Sequence, residues 1–119
     1  MPTYKILLFM KRKPGLTPTE FRDYYEQQHV PLCSKYIKGL NRYLRRYLEP
    51  LPNPETGQCL EPEYDVITEL WFNDEALFKG TVNYLSTHTM PDEVIADEEL
   101  FLDRTKSRMT IVSEAESAL

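Results

Sequence analysis

The chain has 119 residues, 41% of them hydrophobic and 28% charged, which is the composition of one globular domain; we expect a single domain over residues 1–119. Its 19 acidic and 14 basic side chains give a net charge of −5. Because this charge repels phosphate groups, we expect neither nucleic acid nor a membrane surface as a partner. We find no apolar run long enough to span a membrane and no signal peptide, so we expect a cytoplasmic location, with Cys33 and Cys59 as free thiols.

The first third of the sequence predicts a strand followed by a helix. Residues 3–11 are rich in strand formers and apolar on both faces, so we expect layers on both sides of this strand. Thr17 has the features of a helix cap, because Pro18 suits the first helical position and Glu20 completes a capping box. The helix presents one stripe to the sheet, formed by Phe21, Tyr25, Gln28, Leu32 and Tyr36.

The predicted helix carries its only histidine close to a proline. His29 lies one turn after Tyr25, at the edge of the stripe. Pro31 cannot donate a backbone hydrogen bond, so we expect the helix to kink or restart there, and Gly39 to end it.

The remainder of the chain alternates strands and helices. We predict strands over residues 40–49, 64–72 and 106–113, a long loop over 50–63, and a polar tail over 114–119. A helix follows a cap at Asn73 or Asp74, with Leu77, Phe78, Val82 and Leu85 on its buried side. A second, shorter helix begins near Thr89 and Pro91 and carries Val94, Ile95, Phe101 and Leu102.

This order of elements, β-α-β-β-α-β, predicts an α+β protein with the split βαβ, ferredoxin-like fold. Such a protomer has a four-stranded antiparallel sheet with its helices on one face. The other face would be uncovered, yet the first and third strands are apolar on both faces. We therefore predict a homodimer in which two sheets pack together.

The absence of several sequence motifs limits the kinds of reaction that we expect. The two histidines, His29 and His88, have no partner at metal-ligand spacing, so we predict no metal site. Glycine-rich phosphate loops and the nucleophile elbow of hydrolases are also absent, and we predict no cofactor. Proton transfer by His29, with His88 as a second proton-transfer or orienting group, is the remaining chemistry, because imidazole exchanges protons near neutral pH.

Several further side chains are candidates for binding a substrate. Tyr25, Tyr43 and Tyr47 could direct hydroxyl groups into a space between sheet and helices. Arg42 could bind a carboxylate through two parallel hydrogen bonds. Asp65 and Glu69 share a strand face with Trp71; each could have a raised pKa among apolar neighbours, or could pair with Arg42 or Arg45.

Taken together, these residues resemble a known family. The segment from Lys11 to Thr17, followed by Phe21, Tyr24-Tyr25, His29 and Pro31-Leu32, is similar to the N-terminal signature of EthD-domain proteins, which belong to the dimeric α+β barrel superfamily. The resemblance continues through Gly39-Leu40, Arg42-Tyr43, Tyr64-Asp65, 69–72 and 101–103. It departs at Tyr25, where family members often carry tryptophan.

The resemblance implies a ferredoxin-like protomer, a homodimeric barrel, and a pocket between each sheet and its helices. It also implies a cofactor-independent lyase of secondary-metabolite biosynthesis, a decarboxylase or dehydratase acting on a polyketide-derived aromatic or β-keto carboxylic acid, with His29 as general acid/base. Two alternatives stay open. One is a cofactor-free oxygenase or cyclase of polyketides, in which Trp71 and a histidine lie beside the reacting ring. The other is a non-catalytic, dimeric small-molecule-binding accessory protein.

Overall fold

A computed structural model describes residues 2–119 and shows a four-stranded antiparallel sheet with helices on one face, confirming the predicted ferredoxin-like α+β fold. The strands are β1 (Tyr4–Met10), β2 (Arg42–Tyr47), β3 (Val66–Phe72) and β4 (Arg108–Ile111), in the sheet order β2-β3-β1-β4. The helices are α1 (Pro18–Tyr24), α2 (Val30–Cys33), α3 (Glu75–Thr87) and α4 (Asp92–Phe101).

The core lies between the central strands and the helices. β1 and β3 pair from Tyr4 opposite Phe72 to Met10 opposite Val66. Alternation along these strands places one set of residues on the helix-covered face, and its buried members are Ile6, Met10, Val66, Thr68, Leu70 and Phe72. The fully buried part of this face thus comes from β1 and β3, and β2 adds the half-buried Tyr43 and Tyr47 at its side.

The first helix begins as the sequence predicts and is interrupted in an unexpected way. The Thr17 hydroxyl accepts the backbone N–H of Glu20, and the Glu20 carboxylate accepts the N–H of Thr17, so the capping box is complete. The interruption predicted at Pro31 is a π turn over Tyr25–His29, in which the Val30 N–H reaches the Tyr25 carbonyl, and helical structure continues directly into α2. π turns of this kind are frequent at functional sites.

The π turn changes which residues face the sheet. The buried residues are Phe21, Tyr25, His29 and Cys33, at a constant spacing of four. The predicted stripe was therefore wrong at Gln28, which is exposed, and at Tyr36, which is 43% exposed. The wider turn keeps residues four apart on one side, so His29 lies inside the buried stripe rather than at its edge. α2 then ends at Cys33, before the predicted stop at Gly39.

The long connection between β2 and β3 is exposed, and hydrogen bonds hold its C-terminal end to the sheet. Asn53 and Gln58 form an isolated bridge near its tip. Asp65 anchors the return to the sheet, because it accepts hydrogen bonds from the Arg12 backbone N–H at 2.8 Å and the Arg12 guanidinium at 2.6 Å. The predicted pairing of Asp65 with Arg42 or Arg45 was wrong, since Arg12 on the neighbouring β1 connection is closer.

Helix α3 and strand β4 are less buried than the sequence suggests. α3 has no fully buried residue: Phe78, Val82 and Leu85 are half-buried, and Leu77 is exposed. β4 is short and exposed along its length, although Met109 and Ile111 share a face as predicted. No helix among residues 2–119 combines the length and hydropathy needed to cross a membrane.

Candidate active site

The His29 side chain lies between the π turn of the first helix and α4. It is 2% exposed. Its ring packs on Phe101 with a centroid distance of 4.8 Å and meets the edge of Tyr25 at 5.5 Å. The imidazole is thus fixed by aromatic neighbours on two sides, and its two nitrogens face polar groups.

One ring nitrogen of His29 is held by an acid. Nδ1 lies 2.8 Å from Asp97 Oδ2. The other carboxylate oxygen, Oδ1, accepts the Tyr24 hydroxyl at 2.5 Å. Desolvation and the bond to Asp97 raise the pKa of Tyr24 to about 12, so this phenol stays a donor. Because a carboxylate only accepts, the His29 proton is on Nδ1 and the lone pair is on Nε2.

The other ring nitrogen of His29 faces a thiol and a second acid. Nε2 lies 3.2 Å from Cys33 Sγ and 3.9 Å from Glu98 Oε2. Burial, with the charges of Glu98 and Asp97, raises the pKa of Cys33 to about 12, so the thiol stays neutral and is no nucleophile. Burial also raises the pKa of Glu98. The Nε2 lone pair, faced by the neutral Cys33 thiol, and a carboxyl that holds its proton to a higher pH than a surface glutamate does therefore lie close together.

The three predicted tyrosines all lie in the layer between helix and sheet. The Tyr25 hydroxyl is 2.5 Å from Thr68 Oγ1, within the buried core. Burial is the main reason that the pKa of Tyr43 is raised. The Tyr47 hydroxyl donates to Glu26 at 2.5 Å. Of the three rings, Tyr25 is in direct contact with His29.

Glu26, which binds Tyr47, is also the partner of Arg45. The Arg45 guanidinium grips both carboxylate oxygens of Glu26, at 2.7 and 2.8 Å. These hydrogen bonds are the main reason that the pKa of Glu26 is lowered. Arg45 is therefore engaged by a residue of the π turn and does not reach Glu69.

Arg42 and Trp71 lie on the opposite face of the sheet. The Arg42 guanidinium stacks over the Trp71 ring at 4.8 Å, and Lys5 Nζ lies 4.1 Å from the same ring. The Trp71 indole N–H donates to Glu69 at 2.8 Å. The structure thus separates both residues from His29 by the thickness of the sheet.

Glu69 does not pair with Arg42 or Arg45, as the sequence had suggested it could. Its partner is Arg46, and the hydrogen bonds from Arg46 and Trp71 lower its pKa despite partial burial. The expectation of a raised pKa at Glu69 was therefore wrong.

His88 caps the end of α3 and is exposed. Its ring stacks on Tyr84 at 4.9 Å, and Nδ1 lies 2.8 Å from the Thr87 hydroxyl. Across residues 2–119, its hydrogen bonds and ring contacts do not reach the His29 cluster. The structure brings Tyr25 and His29 together but leaves His88 at a separate surface.

Sequence reasoning missed Asp97, Glu98 and the role of Cys33. Asp97 and Glu98 lie in an acidic stretch of α4, and such a stretch usually indicates a helix face exposed to solvent. The available signal is their spacing: they precede the buried Phe101 by four and three residues, which places both on or beside its helix face. Cys33 follows His29 by four residues, which is also a same-face spacing.

Of two cavities at the surface of the described residues, neither is lined by His29. A cavity of about 450 Å³ lies beneath the 48–65 connection, beside Arg22, Tyr47 and Pro50. Another, of about 430 Å³, is lined by Lys13, Pro14, Glu99, Leu102, Asp103 and Arg104. Arg104 links this second cavity to the site, because its Nε lies 3.3 Å from Glu98 Oε1.

Comparison with known proteins assigns the family. The sequence profile of the EthD domain matches residues 13–105, most of the chain. The chain belongs to the EthD domain family. A curated relative, the conidial pigment biosynthesis dehydratase EthD of Metarhizium robertsii, is 27% identical over 105 residues, covering 84% of this chain and 74% of the relative. The predicted EthD resemblance is confirmed.

Solved structures share the EthD fold. An EthD family protein from Bacillus halodurans covers 97% of this chain and 100% of its own, with 21% identity and a TM-score of 0.53. A crystal structure of an Arabidopsis thaliana protein covers 98% of this chain and 99% of its own, with 14% identity and a TM-score of 0.55. These likenesses support the fold that the element order predicts.

Proposed function

We propose that this EthD protein is a cofactor-independent lyase that removes water from a polyketide-derived aromatic or β-keto carboxylic acid, with His29 as the proton-transfer group. The observation that carries the proposal is the buried pair of His29 Nδ1 and Asp97 Oδ2 at 2.8 Å. This pair fixes the tautomer and leaves Nε2 as a base. The dehydratase name of the Metarhizium robertsii relative supports elimination of water as the reaction.

The reaction needs few groups. Nε2 of His29 takes the proton from the carbon next to the substrate ketone, and the carbon–hydrogen bonding pair moves into an enolate. The contact of Nδ1 with Asp97 stabilises the imidazolium that forms. The enolate then expels the β-hydroxyl, a carbon–carbon double bond forms, and one proton combines with the hydroxyl to give water. Apolar walls such as Phe101 exclude bulk water from this step.

Substrate must approach His29 from the side of Cys33 and Glu98, because aromatic rings cover the imidazole elsewhere. Tyr25 and Tyr43, in the same layer, stay our candidates for donating to a substrate oxygen, with Tyr47 at the margin of that layer. His88, Arg42 and Trp71 remain predictions as site residues, tested by their own variants.

The proposed assembly is a homodimer formed through the face of the sheet that carries no helix. This face presents half-buried apolar side chains from the three strands β1, β2 and β3, namely Leu7, Phe9, Leu44, Ile67 and Trp71. A second copy brings an identical apolar surface and removes both from water. A cytoplasmic location remains a prediction.

Product analysis tests the reaction class. The probe is a tetralone carboxylic acid with a hydroxyl β to its ketone, which aromatises to a naphthol when it loses water. Under argon, without added cofactor, we expect the wild-type protein to form the naphthol with the carboxylate retained. Release of carbon dioxide instead would indicate a decarboxylase.

The same assay separates the alternative functions. Turnover that requires and consumes oxygen would indicate the oxygenase alternative. Binding of the probe without any product, unchanged in variants of both histidines, would indicate an accessory binding protein and contradict the proposal.

A further inference from the structure

We infer that Glu98 is the second catalytic group of this site, the acid that protonates the departing hydroxyl. This inference rests on the proposed dehydration and names a group that the sequence did not indicate. It assigns the two proton transfers to two residues, His29 for the carbon-bound proton and Glu98 for the leaving group.

Geometry places Glu98 where such an acid is needed. Its Oε2 lies 3.9 Å from Nε2 of His29, the nitrogen that Asp97 leaves free. This separation is too long for a strong hydrogen bond between them. Nε2 is instead faced by the Cys33 thiol at 3.2 Å, a weak donor that a substrate atom would have to replace, and Glu98 keeps Oε2 free of Arg104, which binds Oε1. The Glu98 side chain is 15% exposed, whereas His29 is 2% exposed. Glu98 therefore lies on the open side of the imidazole.

The charged and titratable neighbours of Glu98 come from every element packed around it. They are His29 of the π turn, Cys33 of α2, Asp97 of its own helix, and Arg104 of the following turn. Burial raises the pKa of Glu98 most, and Asp97 adds to this effect, while His29 and Arg104 oppose it. Burial prevails, so the carboxyl holds its proton to a higher pH than a surface glutamate does.

Arg104 connects Glu98 to a place where a substrate carboxylate can bind. The Arg104 side chain is 42% exposed, and together with Lys13 it lines the cavity of about 430 Å³. A substrate carboxylate that binds Arg104 competes with Glu98 Oε1 for the guanidinium. Because Arg104 favours the ionised form of Glu98, its withdrawal favours the protonated form at the moment when substrate is bound.

The proton balance is complete with these two groups. His29 Nε2 accepts the α-proton, and Glu98 donates its proton to the β-hydroxyl as the carbon–oxygen bond breaks. The products are the alkene, water, an imidazolium and a carboxylate. Transfer of one proton from His29 to Glu98, directly or through a water molecule, restores the starting state.

Two measurements on Glu98→Gln test the inference. The first is elimination from the β-hydroxy tetralone carboxylic acid, followed by naphthol absorbance. The second is exchange of the α-hydrogen for deuterium in the same acid lacking the hydroxyl, followed by NMR in D₂O. We expect Glu98→Gln to slow elimination by about 10²-fold or more while exchange, which needs only His29, continues. Glu93→Gln, on the exposed part of the same helix, is the matched control.

The outcomes separate the inference from the proposed function. If Glu98→Gln eliminates water at the wild-type rate, the inference is wrong and the proposed function stands. The same conclusion follows if His88→Asn loses elimination while Glu98→Gln keeps it. If exchange falls together with elimination in a folded Glu98→Gln protein, Glu98 acts on His29 rather than on the hydroxyl, and the inference is wrong. If the wild-type protein neither exchanges nor eliminates, the proposed function fails and the inference fails with it.

Discussion

The Nδ1 atom of His29 and the Oδ2 atom of Asp97 lie 2.8 Å apart, and this contact joins the π turn of the first helix to α4. Two segments that are 68 positions apart in the chain thereby meet at one imidazole. The contact determines which nitrogen carries the proton, and so which nitrogen can act on a substrate.

Replacing Asp97 with asparagine should lower kcat by about 10²-fold or more with little change in KM. The amide can donate to Nδ1, which favours the tautomer whose proton is on Nε2 and removes the base. Steady-state kinetics on the hydroxytetralone acid measures this change. Asp92→Asn, at the exposed start of the same helix, is the control. A rise in KM with unchanged kcat would mean that Asp97 binds substrate instead.

Phe101→Ala should destabilise the fold by about 3–5 kcal/mol, the usual cost of removing a buried phenylalanine. Phe101 is fully buried and packs on His29, Tyr24, Tyr25 and Phe21. Urea unfolding measures the change. The exposed neighbour in Leu100→Ala should change stability by less than about 0.5 kcal/mol. Equal stability of the two variants would contradict the packing described for α4.

Much of the fold follows from local patterns in the sequence. The capping box at Thr17, the alternation in β2 and β3, and the order of elements each depend on residues close together in the chain. Such patterns reflect local backbone and side-chain physics, so they could be recognised before the structure was known.

The site could be predicted only in part. His29 stands out because the chain has two histidines, but Asp97 and Glu98 reach it only after folding brings α4 beside the π turn. The π turn does not follow from the sequence pattern, because the 3.6-residue period of an α-helix does not describe it. That period placed Gln28 and Tyr36 inside and His29 at the edge.

The stability of the Glu98→Gln variant should rise relative to wild type as the pH increases. The folded state raises the pKa of Glu98 above its ordinary 4.5, so it binds the proton more tightly than the unfolded chain does. The stability from this proton is complete below pH 4.5 and is lost as the pH rises through the folded pKa. Glutamine cannot ionise, so the variant does not lose this stability as the pH rises.

Glu20→Gln is a control whose stability should change with pH in the opposite direction. Thr17 lowers the pKa of Glu20, so its contribution is present at neutral pH and is lost as the pH falls. Urea unfolding at several pH values should therefore show differences from wild type that grow in opposite directions. Parallel curves for wild type and Glu98→Gln would exclude a raised pKa at Glu98.

Ile67→Asp should convert the protein from a dimer to a monomer, because it places a charge within the apolar sheet face proposed as the interface. Light scattering coupled to gel filtration measures the mass. Leu51→Asp adds the same charge to the exposed loop and should stay dimeric. A wild-type protein of monomer mass at micromolar concentration would contradict the proposed assembly.

The rate of elimination by His29→Asn tests the central claim most directly. Asparagine is close to histidine in size and can still donate to Asp97, so the fold should be kept, as circular dichroism and the Tm will show. We expect the rate to fall by about 10²- to 10⁴-fold relative to wild type. A folded His29→Asn protein that converts the hydroxytetralone acid at the wild-type rate would contradict catalysis by this imidazole.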